Sequence, residues 1–139
     1  MSKEWTPKEL LLDLVSVQSD TYTTLEIDMA KHILEVIKGQ DYWEEHPDCC
    51  GLYDGNDRMG RLIPWALRKG TSNRCLVLSG HFDCVEIDCY DTLKEFALRP
   101  DELKERMKTM EWSDPDVVKD LHSEDWLFGR GTADMKGGT

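Results

Sequence analysis

The sequence has no excess of basic residues. Its 139 residues include 17 Lys and Arg against 28 Asp and Glu, which gives a formal net charge of −11. Nucleic acids and anionic membranes are bound through basic surfaces, so this balance argues against both as partners. No finer conclusion about partners follows, because a solvated acidic surface is the usual origin of such a charge.

Long apolar segments are also missing. No run approaches the roughly 20 apolar residues that a membrane-spanning helix needs. The start of the chain has no apolar signal core that ends in a small-residue cleavage site, and no internal repeat is present. We therefore expect a cytoplasmic protein, and the length suits a single domain over residues 1–139.

The five cysteines form no recognisable framework. Their number is odd, and their spacings match neither a zinc ribbon nor a Cys-x-x-Cys redox pair. We expect all five to be reduced in the cytoplasm, with Cys75 buried as a small apolar residue. Cys84 and Cys89 flank the candidate site described next. Simple free thiols are the expected state there, with thiolate ligation of a metal as the alternative.

The most informative stretch runs from Cys75 to Asp83. The apolar run Cys75–Leu78 predicts a strand buried on both faces, and His81 and Asp83 follow it directly. Ligands bind beyond the carboxyl ends of strands in open α/β sheets. If the backbone stays extended, residues two apart face the same way, so His81 can face a metal while Asp83 orients its ring. The alternative for His81 is an ordinary hydrogen-bonded structural residue.

A second polar motif occupies positions 129–138, with the sequence GRGTADMKGG. Gly129 and Gly131 allow a tight turn that a side chain would obstruct. A phosphate-binding loop does not fit, because Lys136 precedes its glycines instead of following them. Asp134 is a candidate metal ligand, and its alternative role is the N-cap of a following helix.

The remaining pattern predicts a mixed α/β sandwich. Capping-box sequences at Thr6–Glu9 and Thr23–Glu26 each precede an apolar stripe at helical spacing, and so predict two helices. Further predicted elements are strands at Asp41–His46, Leu62–Leu67 and Cys75–Leu78, a loop or hairpin turn at Cys49–Arg61, and helices at Asp91–Ala97, Pro100–Met110 and Pro115–Leu121. The stretch Trp126–Phe128 is expected to return the chain to the core.

Taken together, Gly80-His81-Phe82-Asp83 and the motif at 129–138 resemble the metal-binding motifs of the M20 family of zinc-type exopeptidases and amidohydrolases. The resemblance implies that the chain is the N-terminal portion of a zinc-exopeptidase-like α/β/α catalytic domain, which is truncated here. Within the family, the chain looks closest to the RocB-like, arginine-utilisation branch. It implies hydrolysis of amide bonds in small peptides or acylated amino acids.

The resemblance also implies roles for individual residues. His81 and Asp134 would be metal ligands, with Asp134 bridging two ions. Asp83 would be the catalytic-site carboxylate that holds His81 in its ligating orientation. The ions would be two zinc ions, with cobalt or manganese as alternatives, and the Asp134–Met135 peptide bond is a candidate for the cis form.

The resemblance further places the general base, the other metal ligands and the dimerisation domain beyond Thr139. We therefore expect the 139-residue chain alone to be inactive, to bind metal weakly and to self-associate into a homo-oligomer through uncovered apolar surface. The competing hypothesis is a non-catalytic α/β module that serves in binding or assembly.

Overall fold

The computed structural model describes residues 4–138, so residues 1–3 and 139 of the predicted 1–139 domain lie outside the described part. The fold is mixed α/β, as predicted. Its elements are helices α1 (Pro7–Ser16), α2 (Leu25–Lys38), α3 (Asp41–Glu45), α4 (Pro100–Lys108) and α5 (Pro115–His122), strands β1 (Cys50–Asp54) and β2 (Leu62–Ala66), and 3₁₀ helices at Pro47–Cys49 and Asp88–Phe96.

Helix α1 begins with the predicted capping box. The Thr6 hydroxyl accepts a hydrogen bond from the Glu9 backbone N–H at 3.2 Å, and the Glu9 carboxylate accepts one from the Thr6 N–H at 2.9 Å. Pro7 occupies the first turn, where its missing N–H costs nothing. The apolar stripe faces inward, and Val15 is its fully buried member.

Helix α2 begins where predicted, although its capping differs. The Thr23 hydroxyl donates to Asp20 O at 2.6 Å, and Glu26 accepts from the Tyr22 N–H at 2.6 Å rather than from Thr23. The reciprocal box predicted for Thr23 and Glu26 is therefore absent. Both side chains instead fasten the helix start to the segment before it.

The prediction of a strand at Asp41–His46 is wrong, because this stretch forms helix α3. Its aromatic residues Tyr42 and Trp43 suggested β structure, but the backbone is helical from Asp41 to Glu45. The ring of Tyr42 stacks on that of His46, the residue after the helix, with centroids 4.5 Å apart. Asp41 in the first turn also suits the helix dipole.

Strands β1 and β2 form an antiparallel hairpin in which Cys50 pairs with Ala66 and Leu52 with Pro64. The region Cys49–Arg61 was predicted as loop or turn, and its first half is strand β1. The prediction took the glycines of this region as turn residues, but Gly51 lies within strand β1. A Cβ on Gly51 would lie 3.1 Å from Trp65 Nε1, so glycine lets the indole cross β1.

The largest departure from prediction concerns Cys75–Leu78, which forms no strand. Leu76, Val77 and Leu78 are 83%, 78% and 86% exposed, and the predicted buried thiol of Cys75 is exposed too. A strand buried on both faces needs a hydrogen-bonded neighbour. Within residues 4–138, β1 and β2 pair only with each other, so this run has no sheet to join.

Two groups of buried side chains stabilise the structure. Helix α2 packs on both strands, and helix α4 packs on α5 and on the 3₁₀ helix Asp88–Phe96. The apolar side chains buried in these two regions are Val15, Met29, Ala30, Leu34, Cys49, Cys50, Ala97, Leu103 and Leu121.

The predicted helices at 100–110 and 115–121 are confirmed as α4 and α5, each within two residues of its predicted end.

The predicted return of Trp126–Phe128 to the core is only partly correct, since Trp126 is 54% exposed while Leu127 and Phe128 are half-buried. The backbone there is held by Lys104, whose ammonium donates to Trp126 O at 3.1 Å and also to Ser123 O.

No helix within residues 4–138 is long and apolar enough to cross a membrane.

Candidate metal centre

The structure brings His81, Asp83 and Asp134 together. His81 Nδ1 lies 3.0 Å from Asp83 Oδ1, and His81 Nε2 lies 3.6 Å from Asp134 Oδ1. An ionised carboxylate only accepts hydrogen bonds, so the bond to Asp83 places the imidazole proton on Nδ1. When the ring is neutral with its proton on Nδ1, the Nε2 lone pair faces the Asp134 carboxylate, which is the orientation of a ligating histidine.

Asp83 divides its two oxygens between two donors. Oδ1 accepts from His81, and Oδ2 accepts from the Thr21 hydroxyl at 2.8 Å. Partial burial raises the pKa of Asp83, but the hydrogen bonds from Thr21 and His81 outweigh it, so the pKa is lowered. Asp83 is therefore held in the charged form that orients the imidazole.

The segment Ser19–Thr21 holds the His81–Asp83 motif in place. The Ser19 hydroxyl donates to Phe82 O at 2.7 Å, and the Cys84 N–H donates to Ser19 O at 2.8 Å. The Thr21 N–H donates to Cys84 O at 2.9 Å, and Asp20 and Cys84 form a parallel β-bridge. No role was predicted for this segment from the sequence, and its small hydroxyl residues Ser19 and Thr21 were the available signal.

Asp134 is carried by a turn that packs on the same segment. Gly131 has φ +82°, and a Cβ there would lie 3.0 Å from Cys84 Sγ, so the predicted need for glycine is confirmed. Lys136 is buried and donates to Val17 O. Burial lowers the pKa of Lys136.

The Asp134–Met135 peptide bond is cis, as expected from the resemblance. Residues 134–138, the last that the structure describes, form bends and turns, and the alternative role of Asp134 as a helix N-cap stays a prediction. Its side chain is 81% exposed and the His81 side chain is 53% exposed, which leaves their facing atoms accessible.

A groove of about 470 Å³ runs beside His81 and Asp83. Its other charged residues are Glu26, Asp57 and Arg61, and the Arg61 side chain pairs with Asp57. The backbone N–H and then the side chain of Arg61 lower the pKa of Asp57. With two carboxylates near one guanidinium, this part of the groove stays net negative.

The donor set fits part of a divalent-metal shell. An imidazole nitrogen and a carboxylate oxygen are ligands that zinc accepts. Catalytic zinc usually has three protein ligands, and among residues 4–138 no group of three or more His, Cys, Asp and Glu side chains is placed to hold one ion.

The nearby thiols do not enlarge this donor set. All five cysteines are free thiols. Cys89 Sγ accepts from the Arg130 guanidinium at 2.7 Å, and Cys84 is buried against Gly131.

Two other histidines lie away from the centre. His32 Nε2 lies 2.6 Å from Asp13 Oδ2 on the facing helix. His122 is exposed on α5, with Nδ1 2.8 Å from Val118 O. Neither ring lies with the residues of the candidate centre.

Comparison with known proteins identifies two relatives. The chain is 36% identical over 130 residues to the uncharacterized protein YqjN of Bacillus subtilis (strain 168), and 34% identical over 134 residues to protein RocB of the same organism. These matches cover 93% of the chain but only 24% and 23% of the relatives. The chain thus spans about a quarter of their length. No family model and no solved structure matches it.

Proposed function

We propose that the chain is the N-terminal part of the catalytic domain of an M20-type metallohydrolase that cleaves amide bonds in small peptides or acylated amino acids. The 34% identity to RocB supports a place in the RocB-like, arginine-utilisation branch. The relatives are about four times as long as the aligned region, which supports the view that the general base and further ligands lie outside residues 1–139.

The observation that carries the proposal is the orientation of His81. Its Nδ1 is occupied by Asp83 at 3.0 Å, while its Nε2 faces Asp134 Oδ1 at 3.6 Å. With the ring neutral, the Nε2 lone pair faces an exposed carboxylate, an arrangement in which one cation can satisfy both groups.

Each residue would have one role. His81 Nε2 and Asp134 would hold a divalent ion, and Asp83 would keep the proton on Nδ1 and the ring in place. When bound, the metal would polarise the amide carbonyl of the substrate and lower the pKa of a water molecule. Two zinc ions would suit these ligands in the complete protein, with cobalt or manganese as alternatives.

The first test is the position and affinity of a bound ion. Crystals of the 139-residue chain soaked in zinc or manganese should show anomalous scattering between His81 and Asp134. Isothermal titration should show weak zinc binding that is lost in His81→Ala and in Asp134→Ala. The matched control is His122→Ala, which removes an exposed imidazole outside the centre and should leave zinc affinity unchanged.

Two results would count against the proposal. One is zinc bound elsewhere with His81 and Asp134 unliganded. The other is equal zinc affinity in the His81→Ala and His122→Ala variants, since both remove one imidazole and only His81 belongs to the centre.

A second candidate is a non-catalytic module for binding or assembly. Its supporting observation is the exposed run Leu76–Leu78, since contiguous apolar surface of this kind marks association sites. We expect homo-oligomers through this run in either case. Association without any zinc binding would favour the module over the enzyme.

A further inference from the structure

We propose that Thr21 is a positioning residue of the candidate metal centre, whose hydroxyl orients Asp83 and, through Asp83, the ring of His81. The inference rests on the proposed function for its consequence on metal binding. Its structural part, the control of the His81 ring, can be tested without any metal.

Both carboxylate oxygens of Asp83 accept hydrogen bonds. Oδ1 accepts from His81 Nδ1 at 3.0 Å, and Oδ2 accepts from Thr21 Oγ1 at 2.8 Å. A carboxylate held at one oxygen can still turn about its terminal side-chain torsion, which is broad and roughly two-fold. Donors at both oxygens fix that torsion, and so fix the direction from which His81 is held.

Thr21 is itself held firmly. Its N–H donates to Cys84 O at 2.9 Å, and the neighbouring residue Asp20 forms a β-bridge to Cys84. The backbone of Thr21 is thereby tied to the residue that follows Asp83. The hydroxyl reaches the carboxylate from a backbone that cannot shift without breaking these bonds.

A purely structural role for the hydroxyl is the competing explanation. Thr21 Oγ1 also lies 3.1 Å from Cys84 O, and a hydroxyl has one proton to donate. However, that carbonyl already accepts from the Thr21 N–H. The contact to Asp83 is shorter, and among residues 4–138 it is the hydrogen bond that Oδ2 accepts from another side chain. The carboxylate is therefore the acceptor that loses most when the hydroxyl is removed.

The test compares Thr21→Val, which keeps the branched shape and removes the donor, with Thr21→Ser, which keeps the donor. The first measurement is the tautomer of His81 in metal-free protein at one fixed pH, by long-range ¹H–¹⁵N correlation. Wild type and Thr21→Ser should carry the proton on Nδ1. Thr21→Val should show an increased share of the Nε2–H form, since the tautomer follows the hydrogen bond made by the other nitrogen.

The second measurement is zinc affinity by isothermal titration. Removing a group that orients a metal ligand typically weakens metal binding by about 10–100-fold, so Thr21→Val should fall in this range and Thr21→Ser should not. Amide spectra confirm that each variant is folded, and Thr21→Ala replaces Thr21→Val if the added methyl disturbs the fold.

The outcomes separate the two proposals. An unchanged His81 tautomer in Thr21→Val, or equal effects of Thr21→Val and Thr21→Ser, overturns the role of Thr21. If wild type binds no zinc, the metallohydrolase proposal fails, while the tautomer measurement still decides whether Thr21 controls His81.

Discussion

Replacing Ser19 with Ala tests whether the Ser19–Thr21 segment supports the candidate centre. Ser19 is 1% exposed, and its hydroxyl donates to Phe82 O at 2.7 Å, next to Asp83. Ser16→Ala is a closely matched control. The Ser16 hydroxyl also donates to a backbone carbonyl, that of Asp13, at 2.6 Å, but this residue is exposed and the bond is local.

The two substitutions remove the same atom from different surroundings. Losing the Ser19 hydroxyl leaves the Phe82 carbonyl in a half-buried site with the weak thiol contact of Cys84 at 3.8 Å, and a poorly satisfied buried group costs about 1–3 kcal/mol. Water can replace the Ser16 hydroxyl, so Ser16→Ala should change stability by less than about 0.5 kcal/mol. The free energy of unfolding should therefore separate the two variants clearly.

Urea unfolding followed by far-UV circular dichroism measures both values, and an unchanged m-value shows that the comparison is valid. Ser19→Ala should also weaken zinc binding, because Phe82 lies between His81 and Asp83. Equal losses of stability in the two variants would refute the conclusion that Ser19 carries a buried long-range contact.

Three further substitutions test other parts of the structure. Met29→Ala should destabilise the chain by about 2–5 kcal/mol in urea unfolding, because Met29 is fully buried; a cost as small as that of the exposed Met110→Ala would contradict this packing. Thr6→Ala should cost about 1 kcal/mol by removing the cap of α1, and a neutral result would show that the capping box contributes nothing. Val77→Lys should shift light-scattering mass toward the monomer, whereas Met110→Lys should not; an unchanged mass would exclude the run Leu76–Leu78 as the association surface.

Helices were the best-predicted elements because their signals are local. The capping box of Thr6 and Glu9 and the apolar stripes of α1 and α2 depend on residues three or four positions apart, and these contacts form within one helix. Helices α4 and α5 each have proline in the first turn and charges that suit the helix dipole, which are also local features.

Strand predictions were less accurate because a strand depends on its neighbours. The stretches Asp41–His46 and Cys75–Leu78 have strand-like composition, yet the first forms α3 and the second is exposed and irregular. In both cases the prediction rested on β propensity alone. Because β propensity largely reflects packing against neighbouring strands, it cannot predict a strand where no pairing partner is present. Leu62–Leu67 was predicted correctly, since β1 is available to pair with it.

The residues of the candidate centre can be read from the sequence: an imidazole and a carboxylate two residues apart, and a second carboxylate in a glycine-rich turn. The sequence also predicts α1, α2, α4 and α5, whose stabilising contacts are local, but not α3. The folded chain alone shows that His81 Nε2 faces Asp134 at 3.6 Å, and that Ser19 and Thr21, rather than the predicted strand, hold the first motif. The reason is that these contacts join segments about 60 residues apart along the chain, and no periodicity or spacing in a sequence encodes which distant hydroxyl meets which carboxylate.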